Sequence, residues 1–227
     1  MSDLAIVAEL GTNLFPWSYD RMCRLIEAAA VSGATHVKAQ LYKADHFPLA
    51  EQSAKRETEF PRSELDSFVK IATGMNMRPG FSVFSREDTD DAKASGAAFL
   101  KLATREQGNV GLLVYCIDSQ LELFRSVRWP QTEEFGFAEA NALPGTTTLA
   151  CVPEYPSKRH YPWAWGPDMA RLLPSPFGWS SHTTHWGDCI RAVRNGAVAI
   201  EKHLCLDKSD REGGWSLDPA EFKQMCY

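Results

Sequence analysis

The protein has 227 residues, of which 44% are hydrophobic and 23% charged, a globular composition with enough apolar side chains for one sizeable core. Its 24 Lys and Arg residues against 29 Asp and Glu residues give a net charge of −5, and no basic run could neutralise successive phosphates of a nucleic acid. The apolar stretches are too short for a membrane span, and the first residues lack the features of a secretory signal. We therefore expect one domain over residues 1–227, cytoplasmic, with no nucleic-acid or membrane partner.

Six cysteines are scattered along the chain without Cys-x-x-Cys pairs: Cys23, Cys116, Cys151, Cys189, Cys205 and Cys226. Closely spaced pairs are typical of metal sites and disulfide scaffolds, and a chain of this size does not depend on disulfides. We expect reduced, mostly buried thiols. A nucleophilic cysteine is the less favoured alternative, because none has an evident activating neighbour.

Short apolar segments alternate along the chain with amphipathic ones. Eight are predicted to be strands: Ala5–Leu10, His36–Leu41, Pro79–Phe84, Phe99–Thr104, Phe124–Trp129, Thr147–Glu154, Phe177–His182 and Ala197–Leu204. Helical periodicity is clearest at Trp17–Ser32, Ser63–Met75 and Glu87–Ser95. Glycines stand where helices should end, at Gly33, Gly74, Gly96 and Gly196.

This alternation predicts an α/β fold with a parallel sheet, and eight units predict a closed (β/α)8 TIM barrel. An open doubly wound sheet is the alternative, but the turn Gly11–Pro16 lacks the Gly-x-Gly-x-x-Gly phosphate motif. Pro130–Gly145 has two prolines and weak helical periodicity, so we expect the fifth helix to be missing or replaced by a loop. Tyr155–Pro167 is predicted to be an ordered excursion over the top face.

Polar residues end nearly every predicted strand, which is where a barrel places its active site. They are Glu9, Lys38, Gln40, Ser82, Lys101, Thr104, Ser126, Glu154, Tyr155, Ser180, His182, Glu201 and His203. A buried lysine costs several kcal/mol unless it is paired, so Lys38 and Lys101 predict an anionic partner such as phosphate or carboxylate. Structural pairs with Glu9 or Glu201 are an equally favoured alternative.

Two histidines, His182 and His203, end consecutive predicted strands. They would lie side by side at the top of a barrel, an arrangement common for a divalent metal, with Glu9 and Asp207 as possible oxygen ligands. The alternative for each is a hydrogen-bonded core histidine. His185, three positions further on in a turn, is predicted to be a supporting or surface residue.

Several motifs occur in one order along the chain. They are Ala8–Asn13 (AELGTN), Val37–Gln40 (VKAQ), Phe81–Arg86 (FSVFSR), Leu100–Thr104 (LKLAT), Gly178–Thr183 (GWSSHT), Ile200–His203 (IEKH) and Ser216–Phe222 (SLDPAEF). Together they resemble the N-acetylneuraminate (sialic acid) synthase family over nearly the whole chain.

The resemblance implies a barrel enzyme, a transferase that condenses phosphoenolpyruvate with an aldose or amino-sugar aldehyde and releases phosphate. His182 and His203 match ligands of a divalent ion, expected to be Mn²⁺, with Mg²⁺ or Co²⁺ as alternatives. Matched by position, the catalytic residues would be Glu9, Lys38 and Lys101, with both lysines holding phosphoenolpyruvate. The matching substrate-binding residues are Gln40, Ser82, Thr104, Ser126, Tyr155 and Ser180.

The sequence departs from the family pattern at several places. The family has His at Leu14, Asn at Pro153 and Asp at Ser181, and its Gly-Pro-Asp-His segment is shortened to Gly213–Trp215, which removes an acidic residue near the expected metal. The family continues beyond the position of Tyr227 into an antifreeze-like domain, so we expect a homodimer or a separate chain that supplies it. N-acetylmannosamine should then be a poor acceptor. A non-catalytic or altered-specificity descendant is the alternative, and a metal-dependent aldolase or isomerase is a third possibility.

Overall fold

The structure is a computed structural model, which describes residues 4–129, 143, 145–157 and 176–227. Eight parallel strands form a closed barrel in chain order: β1 (Ala5–Glu9), β2 (His36–Leu41), β3 (Arg78–Val83), β4 (Phe99–Leu102), β5 (Glu122–Arg128), β6 (Thr146–Cys151), β7 (Phe177–Ser181) and β8 (Ala199–His203). Strand β1 pairs with both β2 and β8, which closes the barrel. The prediction of a TIM barrel is confirmed, and the open sheet is excluded.

Seven α-helices occur in the described part of the chain: α1 (Tyr19–Val31), α2 (Leu49–Arg56), α3 (Leu65–Gly74), α4 (Arg86–Ala94), α5 (Val110–Asp118), α6 (Gly187–Arg194) and α7 (Pro219–Cys226). The three helices predicted from periodicity agree with α1, α3 and α4 to within two residues at each end. The carboxyl ends of the strands differ most from the prediction at β4 and β6, which end at Leu102 and Cys151 rather than at Thr104 and Glu154. A 3₁₀ turn begins at Thr104, and Pro153 has no N–H with which to continue the ladder.

Side-chain caps explain where two of the helices begin. Ser18 accepts a hydrogen bond from the backbone N–H of Arg21 and so starts α1. At the start of α7, Asp218 and Glu221 each accept a hydrogen bond from the other's backbone N–H, and Pro219 occupies the first turn. The SLDPAEF motif is therefore a helix start rather than part of a ligand site.

Left-handed backbone ends several helices, as the glycine positions predicted. Gly33, Gly96 and Gly196 have φ of 97°, 84° and 93°, values that a side chain would strain. Gly74 also stands where its helix ends, but its backbone is not left-handed. This glycine is the last residue of α3, and Asn76, with φ of 59°, makes the left-handed turn instead.

Apolar side chains fill the floor of the barrel: Ala5, Val7, Phe99, Phe124, Leu149 and Ala199. Gly80 makes room for them, because a Cβ there would lie 2.5 Å from the ring of Phe99. His36 joins this layer with its ring centroid 5.4 Å from that of Phe99. Burial, with a smaller contribution from Arg78, lowers the pKa of His36 to about 4. A larger apolar core lies outside this layer and includes buried residues of the helices.

Because every second side chain of a strand points into the barrel, a polar layer lies above the apolar floor. Its buried members are Glu9, Lys38, Ser82, Lys101, Ser126, Ser180 and Glu201. Register brings them together, since Glu9 pairs with Lys38 and Ser82 with Lys101 across neighbouring strands. The barrel thus holds its ionisable groups near the carboxyl ends of the strands.

Two of the predictions lie largely outside the described residues. Pro130–Gly145 is described only at positions 143 and 145, and the Tyr155–Pro167 connection only to residue 157, so the missing fifth helix and the ordered excursion stay predictions. All six cysteines are unpaired and four of them are buried, as expected for most of the thiols, whereas their reduced state stays a prediction. None of the helices in the described part of the chain is long and apolar enough to cross a membrane.

Candidate functional site

A cavity of about 360 Å³ lies at the carboxyl ends of the strands. Nine of the eleven predicted site residues line it: Glu9, Lys38, Gln40, Ser82, Lys101, Thr104, Tyr155, His182 and His203. Ser126 and Ser180 do not line the cavity but are buried in the polar layer. Ser180 donates a hydrogen bond to Glu201 at 2.8 Å, and the hydroxyl of Ser126 has no hydrogen-bond partner among the described residues.

Both buried lysines are paired with carboxylates. Lys38 Nζ contacts the carboxylate of Glu9, lies 3.6 Å from Glu201 Oε2 and donates a hydrogen bond to Ser82 Oγ at 2.6 Å. Lys101 Nζ donates to Glu201 Oε1 at 3.1 Å. The structure therefore contains the structural pairs that were one of the two alternatives, and the binding of phosphate or a substrate carboxylate by these lysines stays a prediction. An anion bound here would have to share the lysines with these carboxylates.

The buried charges shift one another's pKa values. Burial lowers the pKa of Lys38 to about 7, although the charge of Glu201 opposes the shift. Burial would raise the pKa of Glu201, but Lys101 and Lys38 outweigh it and hold that pKa far below its usual range. Lys38 is therefore the buried group of this layer that can exchange a proton near neutral pH.

The two histidines are brought side by side, with ring centroids 5.4 Å apart. The Nδ1 atom of His182 lies 2.9 Å from the carbonyl oxygen of Val152, and that of His203 lies 2.8 Å from Glu212 Oε2. Burial, and then the charge of His203, lowers the pKa of His182 well below its usual value. A histidine whose Nδ1–H is held by an oxygen keeps Nε2 free, which is how metal-binding histidines are oriented.

The donor set of the cavity fits a divalent ion in part. Two imidazoles face the cavity, but the described residues contain no group of three or more His, Cys, Asp or Glu side chains able to hold an ion. The suggested oxygen ligands do not complete the set, because Glu9 contacts Lys38, and Asp207 is exposed and accepts hydrogen bonds from Ser209. His182 and His203 are therefore the predicted ligands that the structure leaves available to hold a metal at this site.

Glu212 is a site residue that the sequence analysis missed. Its buried carboxylate contacts His203, so an acidic residue lies beside the histidine pair although the glycine segment is shortened. Asn13 Oδ1 accepts a hydrogen bond from the backbone N–H of Glu212 at 2.8 Å and so holds the segment in place. The carboxylate of Glu212 packs against Gly11, where the Cβ of any other residue would clash with it. A signal was present in the sequence, because Glu212 directly precedes Gly213 and Gly214 in the segment after β8.

Other residues of the lining were also missed, and some expected ones lie elsewhere. Phe47, Lys55 and Arg105 come from loops and helix ends on the β2 and β4 side of the cavity. Ser181 and Leu14 do not line the cavity. The hydroxyl of Ser181 instead donates to Asp188 Oδ2 at 2.7 Å and accepts from Lys202, so its replacement of an aspartate does not remove a polar group from the pocket.

Aromatic rings form one wall of the cavity. The ring of Tyr155 lies 4.1 Å from that of His182 and 5.5 Å from that of Trp215, measured between centroids. Both aromatic residues line the cavity next to the histidine pair. They limit access of water to the imidazoles and offer a flat apolar surface to a bound ligand.

A closed eight-stranded parallel barrel with ionisable groups converging at its carboxyl end is the architecture of TIM-barrel enzymes. The family is narrower than this fold. The profile of the NeuB family matches residues 25–227, and the chain belongs to this family. The match confirms the resemblance to sialic acid synthases that the motifs indicated.

Named relatives are similar over most of this chain. It is 25% identical over 243 residues to the spore coat polysaccharide biosynthesis protein SpsE of Bacillus subtilis, covering 97% of this chain and 65% of SpsE. It is 27% identical over 248 residues to the N,N'-diacetyllegionaminic acid synthase of Legionella pneumophila, covering 97% of this chain and 69% of that protein. The chain thus spans about two thirds of the length of these relatives.

A solved structure supports the fold. The chain is similar to the N-acetylneuraminic acid (sialic acid) synthetase of Leptospira borgpetersenii, crystallised in complex with citrate, with a TM-score of 0.86 and 23% identity. The superposition covers 99% of this chain and 81% of that one.

Proposed function

We propose that the protein is a synthase that condenses phosphoenolpyruvate with an aldose or amino-sugar aldehyde, releasing phosphate and forming a 2-keto-3-deoxy sugar acid. The observation that carries the proposal is the convergence of Lys38, Lys101, His182 and His203 on one cavity in a chain of the NeuB family. Two of the family's named relatives are sugar acid synthases, which supports the same reaction class.

Phosphoenolpyruvate would bind over the polar layer of the barrel. Lys101 is 7% exposed and Lys38 only 1%, so Lys101 is the more accessible cation for an incoming carboxylate or phosphate. Ser82 and Thr104 line the same side of the cavity and can donate hydroxyl hydrogen bonds to the ligand. Glu9 and Glu201 hold the lysine side chains in position before the substrate arrives.

The reaction forms a bond between C3 of the enol phosphate and the aldehyde carbon, whose oxygen takes up a proton. Water then adds at C2 and gives up both its protons, which balance the one taken up by the aldehyde oxygen and the one that leaves with phosphate, and breaking the C2–O bond to phosphate leaves the 2-keto group. A divalent ion, of which Mn²⁺ is the first expectation, would supply Lewis-acid polarisation of the aldehyde oxygen when bound by His182 and His203. Lys38 Nζ, with a pKa of about 7 and in contact with Glu9, is placed to move the required protons at neutral pH.

The proposal also covers which sugar serves as the acceptor. Pro153 lines the cavity where the family has an asparagine, so the acceptor loses one polar partner at that position. We therefore expect N-acetylmannosamine to be a poor acceptor for this chain. A homodimer is part of the same proposal.

The test measures phosphate release with phosphoenolpyruvate, Mn²⁺ and a panel of aldoses and amino sugars. Saturable release that requires the sugar and the metal is expected with at least one acceptor, and Lys101→Met should abolish it. Lys70→Met removes an exposed cation of α3 and should leave the rate unchanged. If no sugar raises phosphate release above the rate without protein, the synthase proposal fails and the non-catalytic alternative is favoured.

A further inference from the structure

The cations that line the cavity form two groups with different partners. The inner group consists of Lys38 and Lys101, each in contact with a buried carboxylate. The outer group consists of Lys55 and Arg105, which line the same cavity from the end of α2 and from the turn after β4. Within the described part of the chain, Lys55 forms no ion pair, although the charges of Glu51 and Glu212 act on it, so the outer cations are less closely paired than the lysines of the polar layer.

One aromatic ring holds both outer cations in place. Lys55 Nζ lies 4.6 Å and Arg105 Cζ lies 4.5 Å from the ring centroid of Phe47. Lys55 Nζ is also 5.2 Å from the ring centroid of Tyr42. Contacts of this kind orient a cationic head without neutralising it. Both like charges are therefore held at the cavity rim against the same ring.

The carboxylate nearest to this pair is only weakly engaged. Glu51 Oε2 lies 3.2 Å from Arg105 Nη1, and both side chains are more than 40% exposed, at 43% and 41%. Exposed ion pairs of this type contribute little and exchange readily with other anions. Burial, and then the charge of Arg105, lowers the pKa of Lys55, which an anion bound between them would reverse. The rim thus offers an anion two cations and the displaceable carboxylate of Glu51, while the buried carboxylate of Glu212 lines the same cavity and also acts on Lys55.

We propose that Lys55 and Arg105 form an outer anion subsite for a phosphate dianion, supplied either by phosphoenolpyruvate or by the inorganic phosphate that it releases. The source of the phosphate rests on the proposed function, whereas the subsite itself rests on the geometry of the rim. A planar guanidinium and an ammonium group together match the charge and oxygen donors of phosphate better than those of a single carboxylate. The rim would also attract the anionic substrate towards the polar layer, whose lysines are paired with carboxylates.

Calorimetric titration with three probes tests the subsite. The double variant Lys55→Met with Arg105→Met removes both charges and keeps an apolar chain over Phe47. The control, Arg24→Met with Lys70→Met, removes the same charges from exposed positions on α1 and α3. Inorganic phosphate and phosphoenolpyruvate should bind the double variant about 10-fold or more weakly, as expected for lost charge-assisted hydrogen bonds, and pyruvate within 2-fold of the wild type. The control should match the wild type with all three probes.

The outcomes separate the subsite from the synthase reaction. Unchanged affinity for both phosphate compounds, equal weakening of pyruvate, or a wild type that binds neither phosphate compound would overturn the subsite. Weakening of phosphoenolpyruvate alone would identify the substrate phosphate as the occupant. If phosphate binding depends on Lys55 and Arg105 but no sugar is condensed, the subsite stands and the proposed function fails. The single variants, each checked by urea unfolding, replace the double variant if that one does not fold.

Discussion

Glu201 is the centre of the buried charges, and its replacement by glutamine tests the account of the barrel interior. Its Oε1 accepts hydrogen bonds from Lys101 Nζ at 3.1 Å and Ser180 Oγ at 2.8 Å, and its Oε2 lies 3.6 Å from Lys38 Nζ. The residue is 2% exposed. Glutamine has nearly the same shape but no charge, so Lys101 would lose its carboxylate partner while Lys38 would keep Glu9.

The magnitude follows from this loss of one partner. Removing one member of a buried ion pair costs about 3–5 kcal/mol, because the other charge stays buried without compensation. Since one of the two lysines remains paired, we expect Glu201→Gln to lower the free energy of unfolding by about 3 kcal/mol in urea denaturation followed by tryptophan fluorescence. Ser180→Ala removes only one hydrogen bond to the same carboxylate and should cost about 1 kcal/mol.

A double-mutant cycle identifies the lysine responsible. Lys101→Met removes the cation that Glu201→Gln leaves unpaired, so the double variant should be about 1–2 kcal/mol more stable than the sum of the two single effects predicts. Strict additivity would mean that the two side chains do not interact. A Glu201→Gln variant within about 1 kcal/mol of the wild type would refute the assignment of Glu201 as the counter-ion.

Three further predictions concern other parts of the barrel. The pKa of His36 is about 4 in the folded state, against 6.5 in the unfolded chain. As the pH falls between these values, the unfolded chain takes up a proton that the folded state does not, so the free energy of unfolding should fall by about 3 kcal/mol from pH 7 to pH 4. In His36→Gln this fall should be smaller, and equal pH profiles in urea unfolding would contradict the assignment. Gly80→Ala should cost about 1–3 kcal/mol in thermal unfolding because its Cβ would meet Phe99, whereas Gly74→Ala, with open space around it, should not destabilise. Glu212→Gln should weaken Co²⁺ binding about 10-fold in a spectroscopic titration, since it orients the β8 histidine, and unchanged affinity would argue against a metal at that histidine.

Local patterns in the sequence were sufficient for the fold and for the position of the site. Strands and helices have different periods, so their order could be predicted along the chain, and eight repeats of that order indicated a closed barrel. Polar residues at the ends of apolar strands then indicated which end carries the site. Glu9, Lys38, His182 and His203 were predicted in this way, and all four line the cavity.

The partners of those residues depend on contacts between distant parts of the chain. Lys101 and Glu201 are 100 residues apart and meet because closure of the barrel directs both side chains to its interior. Glu212 reaches His203 because Asn13, nearly two hundred positions earlier, holds its backbone. Periodicity shows which side of a strand a residue occupies but not which side chain it meets across the barrel. The lysines therefore could be predicted as buried from the sequence, whereas their neutralisation by carboxylates was decided by the tertiary structure.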